Sequence, residues 1–150
     1  MARRYAASVC RPRPEACAGW NSRLAARRIT QSLDREMAES LTVAQLGLMA
    51  QIAVTEDDTL SALAQRTGLD QSTLSRNLRT LESEGLIEIA VVETDLRRRT
   101  VWLTETGARR LEAAIPLWRR ANAQLAKCLS PDLARRLAHE TEVLEHGRRE

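Results

Sequence analysis

Aromatic mass is almost missing from this chain: Phe is absent, Tyr occurs once and Trp three times, for 3 % aromatics in 150 residues. A core of Leu, Ala, Val and Ile remains, a palette that favours helices over an all-β sandwich. Lysine is nearly lacking too, with Lys127 alone among 23 basic residues. Arginine's planar fork suits phosphates and guanine edges, although a nucleotide bias in the genome would leave the same pattern. The three cysteines, Cys10, Cys17 and Cys128, are few, odd in number and without a CxxC pair. That excludes a disulfide framework and points to a reducing cytoplasm. No 18-residue apolar run exists to span a membrane. No apolar stretch follows Arg3, Arg4, Arg11 and Arg13 that would serve as a secretion signal. A cytoplasmic protein without a membrane partner is expected.

What is present is ordinary for one globular domain: 43 % hydrophobic and 29 % charged residues, with a net charge of +3. Residues 1–18, with Pro12, Pro14 and scattered arginines, lack periodicity and read as an irregular basic arm. Trp20, Leu24, Ile29, Leu33 and Met37 then recur at near-helical spacing, predicting a first helix that ends near Ser40. Thr42 and Gln45 form a capping-box pattern ahead of a second helix with Val43, Leu46, Met49, Ala50 and Ala53 on one face, closed by the acidic turn Glu56-Asp57-Asp58. A short third helix follows Thr59, with Leu60, Leu63 and Ala64 inward and Gly68 as its left-handed stop.

The fourth helix has Asp70 as N-cap, buries Leu74, Leu78 and Leu81, and stops at Gly85. Its other face carries Gln71, Ser72, Ser75, Arg76 and Arg79. The apolar period then becomes two: Ile87, Ile89 and Val91 predict one strand and Val101 to Leu103 another, joined by a polar tip from Glu93 to Arg99. Thr104 caps a long helix from Glu105 to about Leu129, with Leu111, Ile115, Trp118 and Leu125 inward and Pro116 as a bend. Ser130-Pro131 starts a last helix with Leu133, Leu137 and Leu144, running to about His146.

A short helix, a glycine-bearing turn, a second helix with a small polar and arginine face, and a hairpin directly after it make a winged helix-turn-helix. The fold class is thus mainly α with a small β-hairpin wing. A helix fits the major groove, where Gln, Ser, Thr and Arg can hydrogen-bond base edges. Gln71, Ser72, Thr73, Ser75 and Arg76 are the candidate base readers, and Arg79, one turn on, the candidate backbone contact. In the wing, Arg97, Arg98 and Arg99 suit the negative potential of a narrow minor groove. Solvated charges on an ordinary surface are the bland alternative for each feature alone.

The segment from Leu60 to Ile87, LSALAQRTGLDQSTLSRNLRTLESEGLI, resembles the helix-turn-helix and opening strand of the MarR family of winged-helix transcriptional regulators. Asp95 and Arg97, followed by Leu103-Thr104-Glu105-Thr106-Gly107, are similar to that family's wing signature. The resemblance implies that Asp95 orients the arginine that enters the minor groove. It further implies a MarR-like domain over 19–150, with the winged unit at about 42–104 and a homodimer joined through helices at about 19–40 and 105–147. The expected partner is double-stranded DNA carrying a palindromic operator, bound by a homodimeric repressor. Three amphipathic helices around so small a reading unit also carry more apolar surface than it can cover, and a second copy would cover it.

The resemblance implies release of DNA by a small aromatic or phenolic effector, or by cysteine oxidation. Cys17, near Arg11, Arg13 and Arg23, is the candidate redox sensor, with a thiol of no redox role as its alternative. Aligned on Thr30, the position used by the hydroperoxide-sensing branch falls on Gly19 instead. Cys128 is expected to pack at the junction of the last two helices. Trp20 and Trp118 are candidates for lining an effector pocket, against plain core packing. His139 and His146 lie about 10.5 Å apart along a helix, too far to share a metal. No catalytic constellation, metal motif or cofactor motif is recognisable, so no catalytic residue, metal or cofactor is expected. A winged-helix module for protein contacts without DNA binding is the rival class, and it would lack salt-dependent duplex affinity.

Overall fold

In the computed structural model, residues 17–38, 40–54, 59–92 and 95–146 are described. They form α1 (Ala18–Glu36), α2 (Val43–Ala53), α3 (Leu60–Thr67), α4 (Gln71–Ser83), β1 (Ile87–Val92), β2 (Asp95–Leu103), α5 (Glu105–Leu125), α6 (Pro131–Thr141) and α7 (Val143–His146). This is the expected mainly helical chain with one antiparallel hairpin. The arm up to residue 16, Cys10 and the acidic turn at 56–58 lie outside the described residues.

Side-chain caps set the helix starts. At α2 the capping box is complete: Gln45 N–H donates to Thr42 Oγ1 at 3.2 Å, and Thr42 N–H donates to Gln45 Oε1 at 3.0 Å. Asp34 Oδ1 accepts a further bond from Val43 N–H at 2.8 Å, tying α1 to the first turn of α2. Thr59 Oγ1 accepts from Ala62 N–H at 3.2 Å, and α3 closes on Gly68 at φ +63°. At the end of α4, Leu86 N–H donates to Leu81 O and Gly85 N–H to Glu82 O, both at 2.9 Å, with Gly85 at φ +69°. These two bonds are a Schellman stop, and its apolar pair, Leu81 with Leu86, is buried.

One core joins the elements. Leu46, Leu48, Met49 and Ile52 of α2 lie with Leu63 of α3, Leu74, Leu78 and Leu81 of α4, Ile87 and Val101 of the wing, and Leu111, Ala114 and Ala121 of α5. Leu33 and Met37 bring the end of α1 into it. In the wing, Ile87 pairs with Leu103, Ile89 with Val101 and Val91 with Arg99, and an isolated bridge from Thr59 to Thr100 adds a third edge.

Several expectations are corrected. The second strand begins at Asp95 instead of Val101, so the arginine triplet belongs to β2 and not to a loop tip. A ladder needs backbone partners, not apolar side chains, and so outruns the alternation that marks it in sequence. The first helix stops at Glu36, four residues early, and the last breaks at Glu142 into α6 and α7. On α2, Leu48 and Ile52 are buried while Ala53 is exposed, because contacts with α3, α5 and β2 cover more than one stripe. On α5 the buried line is Gly107, Leu111, Ala114 and Ala121. Small residues let the helix approach closely, so Trp118 is turned outward at 37 % exposure; Trp20 is 59 % exposed and Cys128 is exposed as well. Neither tryptophan packs in the core. The leucines of α6 are uncovered too, with Leu133 at 57 % and Leu137 at 47 %.

Candidate nucleic-acid interface

The reading face of α4 is built by its own cap and anchor. Leu74, Leu78 and Leu81 are at most 1 % exposed, which fixes the helix on the core and turns the opposite face outward. Asp70 Oδ1 accepts from Ser72 N–H at 3.0 Å, Ser72 Oγ at 2.6 Å and Thr73 N–H at 2.9 Å. Its Oδ2 accepts from Thr73 Oγ1 at 2.7 Å. The Ser72 hydroxyl first, then the Thr73 hydroxyl and backbone amide, hold the Asp70 carboxyl well below the usual carboxylate range.

Gln71, Ser72, Arg76 and Arg79 are exposed, while Thr73 and Ser75 are half-buried. A shallow groove of about 660 Å³ runs along this face, lined by Ser72, Ser75, Arg76, Arg79, Thr80 and Ser83. Thr80 and Ser83 donate their hydroxyls back to helix carbonyls, Arg76 O at 3.2 Å and Thr80 O at 2.8 Å. The guanidinium groups are therefore the strong outward donors of the groove.

A second cleft, of about 270 Å³, lies between α4 and the wing, where Ser75, Arg79 and Glu82 meet Ile89, Val91 and Arg99. Ser75 and Arg79 belong to both hollows and Arg99 to this one, so three predicted residues from two separate elements come together. Glu82 was missed; its spacing of three from Arg79 on the same helical face was the available signal. The side chains of Asp95, Arg97 and Arg98 lie outside the described residues, although their backbone is part of β2.

The wing is seated on α5 through one joint. Thr104 N–H donates to Leu86 O at 3.1 Å, Thr104 Oγ1 donates to Gly85 O at 2.7 Å, and Gly107 N–H donates to Thr104 Oγ1 at 2.9 Å. A hollow of about 720 Å³ opens beside this joint, with Gln45, Glu84, Leu86, Thr106, Arg109 and Arg110 in its wall. Trp20 and Trp118 do not line it. Cys17 is exposed at the N-cap of α1 without a side-chain cap bond. Among the described residues, no group of three His, Cys, Asp or Glu is placed to hold a metal, and no helix is long and apolar enough to cross a membrane.

Residues 39–98 match the MarR family model. The chain is 33 % identical to the M. tuberculosis transcriptional regulator MosR in its crystal structure with DNA, with a TM-score of 0.79 over 88 % of this chain and 98 % of that one. This chain belongs to the MarR family. The MarR family and the similar solved structures are transcriptional regulators, not enzymes. An uncharacterized HTH-type transcriptional regulator of Bacillus cereus is 38 % identical over 76 residues, 51 % of this chain and 50 % of its own length. A phenylalanine–tRNA ligase alpha subunit of Pyrococcus horikoshii is 36 % identical over 69 residues, 46 % of this chain but 13 % of that subunit. The chain thus spans half the length of that Bacillus regulator and a small part of the ligase subunit.

Proposed function

We propose that this MarR-family chain is a sequence-specific DNA-binding regulator, a homodimeric repressor that sits on a palindromic operator. The observation that carries the reading is the outward groove of α4, in which exposed Ser72, Arg76 and Arg79 and half-buried Ser75 lie beside a wing that carries Arg99. In this reading the N-terminal part of α4, from Gln71 to Arg76, enters the major groove and reads base edges. Arg79, at the junction with the wing cleft, meets the phosphate backbone, and Asp95, Arg97, Arg98 and Arg99 serve the minor groove. The exposed apolar residues of α6 and α7 support pairing with a second copy through the terminal helices. A two-fold dimer expects half-site centres about 34 Å apart.

Release by a small aromatic or phenolic effector is supported by the hollow beside the wing joint, where apolar Leu86 lies with polar Gln45, Thr106 and Arg110 in the wall. The exposed Cys17 supports oxidation as a second route, tested by comparing peroxide release of DNA from the wild type and Cys17→Ser. Selection of bound fragments from the source genome, followed by titration at two salt concentrations, tests the core of the reading. Affinity should fall steeply with salt. Arg76→Ala should cost about 1–3 kcal/mol on the selected operator and relax one base position, while Arg97→Ala should weaken all duplexes evenly. Wild-type binding that is indifferent to both salt and sequence would refute a DNA-reading role.

A further inference from the structure

An ionised carboxylate has no proton to give, so each of the bonds at Asp70 is one that it accepts. Two of its four donors are hydroxyls, Ser72 Oγ at 2.6 Å and Thr73 Oγ1 at 2.7 Å. A hydroxyl owns one proton, and at both residues that proton is aimed back at Asp70. What the exposed Ser72 turns outward, into the groove that it shares with Ser75 and Arg76, is lone pairs. The two backbone amides that would otherwise point out of the start of α4 are likewise consumed by Asp70 Oδ1, at 3.0 and 2.9 Å. The hydroxyls and amides of Ser72 and Thr73 are therefore spent as donors, while the donors left at this end of the reading helix belong to the Gln71 carboxamide, the Ser75 hydroxyl and Arg76.

In the major groove the complementary donors are the exocyclic amino groups of adenine and cytosine; guanine and thymine carry carbonyl oxygens at the corresponding atoms. We propose that Asp70 sets the hydrogen-bond polarity of the α4 tip, making Ser72 an acceptor-only reader that selects an amino group over a carbonyl, adenine over guanine or cytosine over thymine, at one position of the DNA site. This assignment rests on the proposed entry of α4 into the major groove. Arg76, four residues on and on the same helical face, has only protons to offer and favours guanine. Ser72 and Arg76 thus read opposite chemistries from one groove, and Asp70 keeps them opposite. In this scheme Asp70 is a positioning residue that never touches DNA.

The test uses the full-length protein and its selected operator. Comparing the base preferences of the wild type and Ser72→Ala identifies the position at which the preference relaxes. At that position, synthetic duplexes replace adenine by purine, or cytosine by 2-pyrimidinone, bases that lack only the amino group. Wild-type affinity should fall about threefold to tenfold on that replacement, the range of one neutral hydrogen bond, and Ser72→Ala should not respond. Asp70→Gly keeps a competent N-cap residue but frees both hydroxyls, so its amino-group discrimination should shrink towards that of Ser72→Ala. Three results would overturn the assignment: a carbonyl preferred at the mapped position, no position relaxed by Ser72→Ala, or an Asp70→Gly variant that binds every duplex more weakly yet keeps the wild-type discrimination. Failure of the wild type to select any fragment would instead remove the DNA-reading function beneath it.

Discussion

The winged unit and the C-terminal helices use the same apolar spacing to opposite ends. In α4, Leu74 and Leu78 are four residues apart and both 1 % exposed; in α6, Leu133 and Leu137 are four apart and 57 % and 47 % exposed. A fully buried leucine stabilises by roughly 1.5–3 kcal/mol, so the first pair does its work inside one chain and the second has about half of its stabilisation still to gain. Periodicity says that a helix has an apolar face, but not what covers that face. The winged unit folds against itself, whereas the apolar face of α6 stays largely exposed within one chain. Besides the shared core, a backbone joint connects the two regions where Thr104 and Gly107 meet Gly85 and Leu86.

Breaking that joint should have the largest effect. A Cβ on Gly107 would lie 1.9 Å from the Leu86 carbonyl oxygen and 2.8 Å from its carbon, and these are backbone atoms that cannot swing aside. Gly107→Ala should lower unfolding free energy by about 3 kcal/mol or more, as overpacking against backbone does. Urea unfolding of the two proteins checks this; a loss below about 1 kcal/mol would mean that the joint yields easily.

The second way to sharpen the contrast is to remove the apolar face of α6. Leu133→Asp combined with Leu137→Asp should weaken self-association by at least about a hundredfold, since a symmetric dimer would lose four partly exposed leucines. Sedimentation velocity measures that change. The winged unit should keep its thermal midpoint when measured under monomeric conditions, because both side chains are exposed and neither belongs to its core. Equal association of wild type and variant would show that α6 has another role.

The winged unit was the legible part of the sequence for a physical reason: its signals are local. Thr42 with Gln45, Thr59, Asp70 and Thr104 each find their bond within three residues, and Gly68 and Gly85 both take the positive φ that their places demand. The length of β2 was not legible, because Arg99 enters the ladder through its backbone opposite Val91 and its side chain gives no hint of it. Trp118 misled for a different reason. Helical spacing offered it as a core residue, yet the close approach of α5 selects Gly107, Ala114 and Ala121, and that depends on a neighbour far along the chain. In the candidate site, the polar face of α4 could be read directly from its offsets. Its meeting with Arg99 and Glu82 in one cleft required the fold.

The smallest expected effect separates the two regions by their response to acid. Asp70 has a folded-state pKa below its unfolded value of about 3.9, so near that pH the unfolded chain binds more protons than the folded one. The contribution of the cap is therefore complete well above pH 4 and is lost as pH falls towards the folded value. Asp70→Gly lacks the titrating group, so the gap in urea midpoint between wild type and variant should stay constant from about pH 7 to 5 and narrow below about pH 4. The leucine contacts of α4 and α6 carry no proton, and the corresponding gaps for their variants should not narrow in the same way. A gap for Asp70→Gly that held constant, or widened, on acidification would show that the start of the reading helix is not held by an ionised carboxylate, and would free the Ser72 proton along with it.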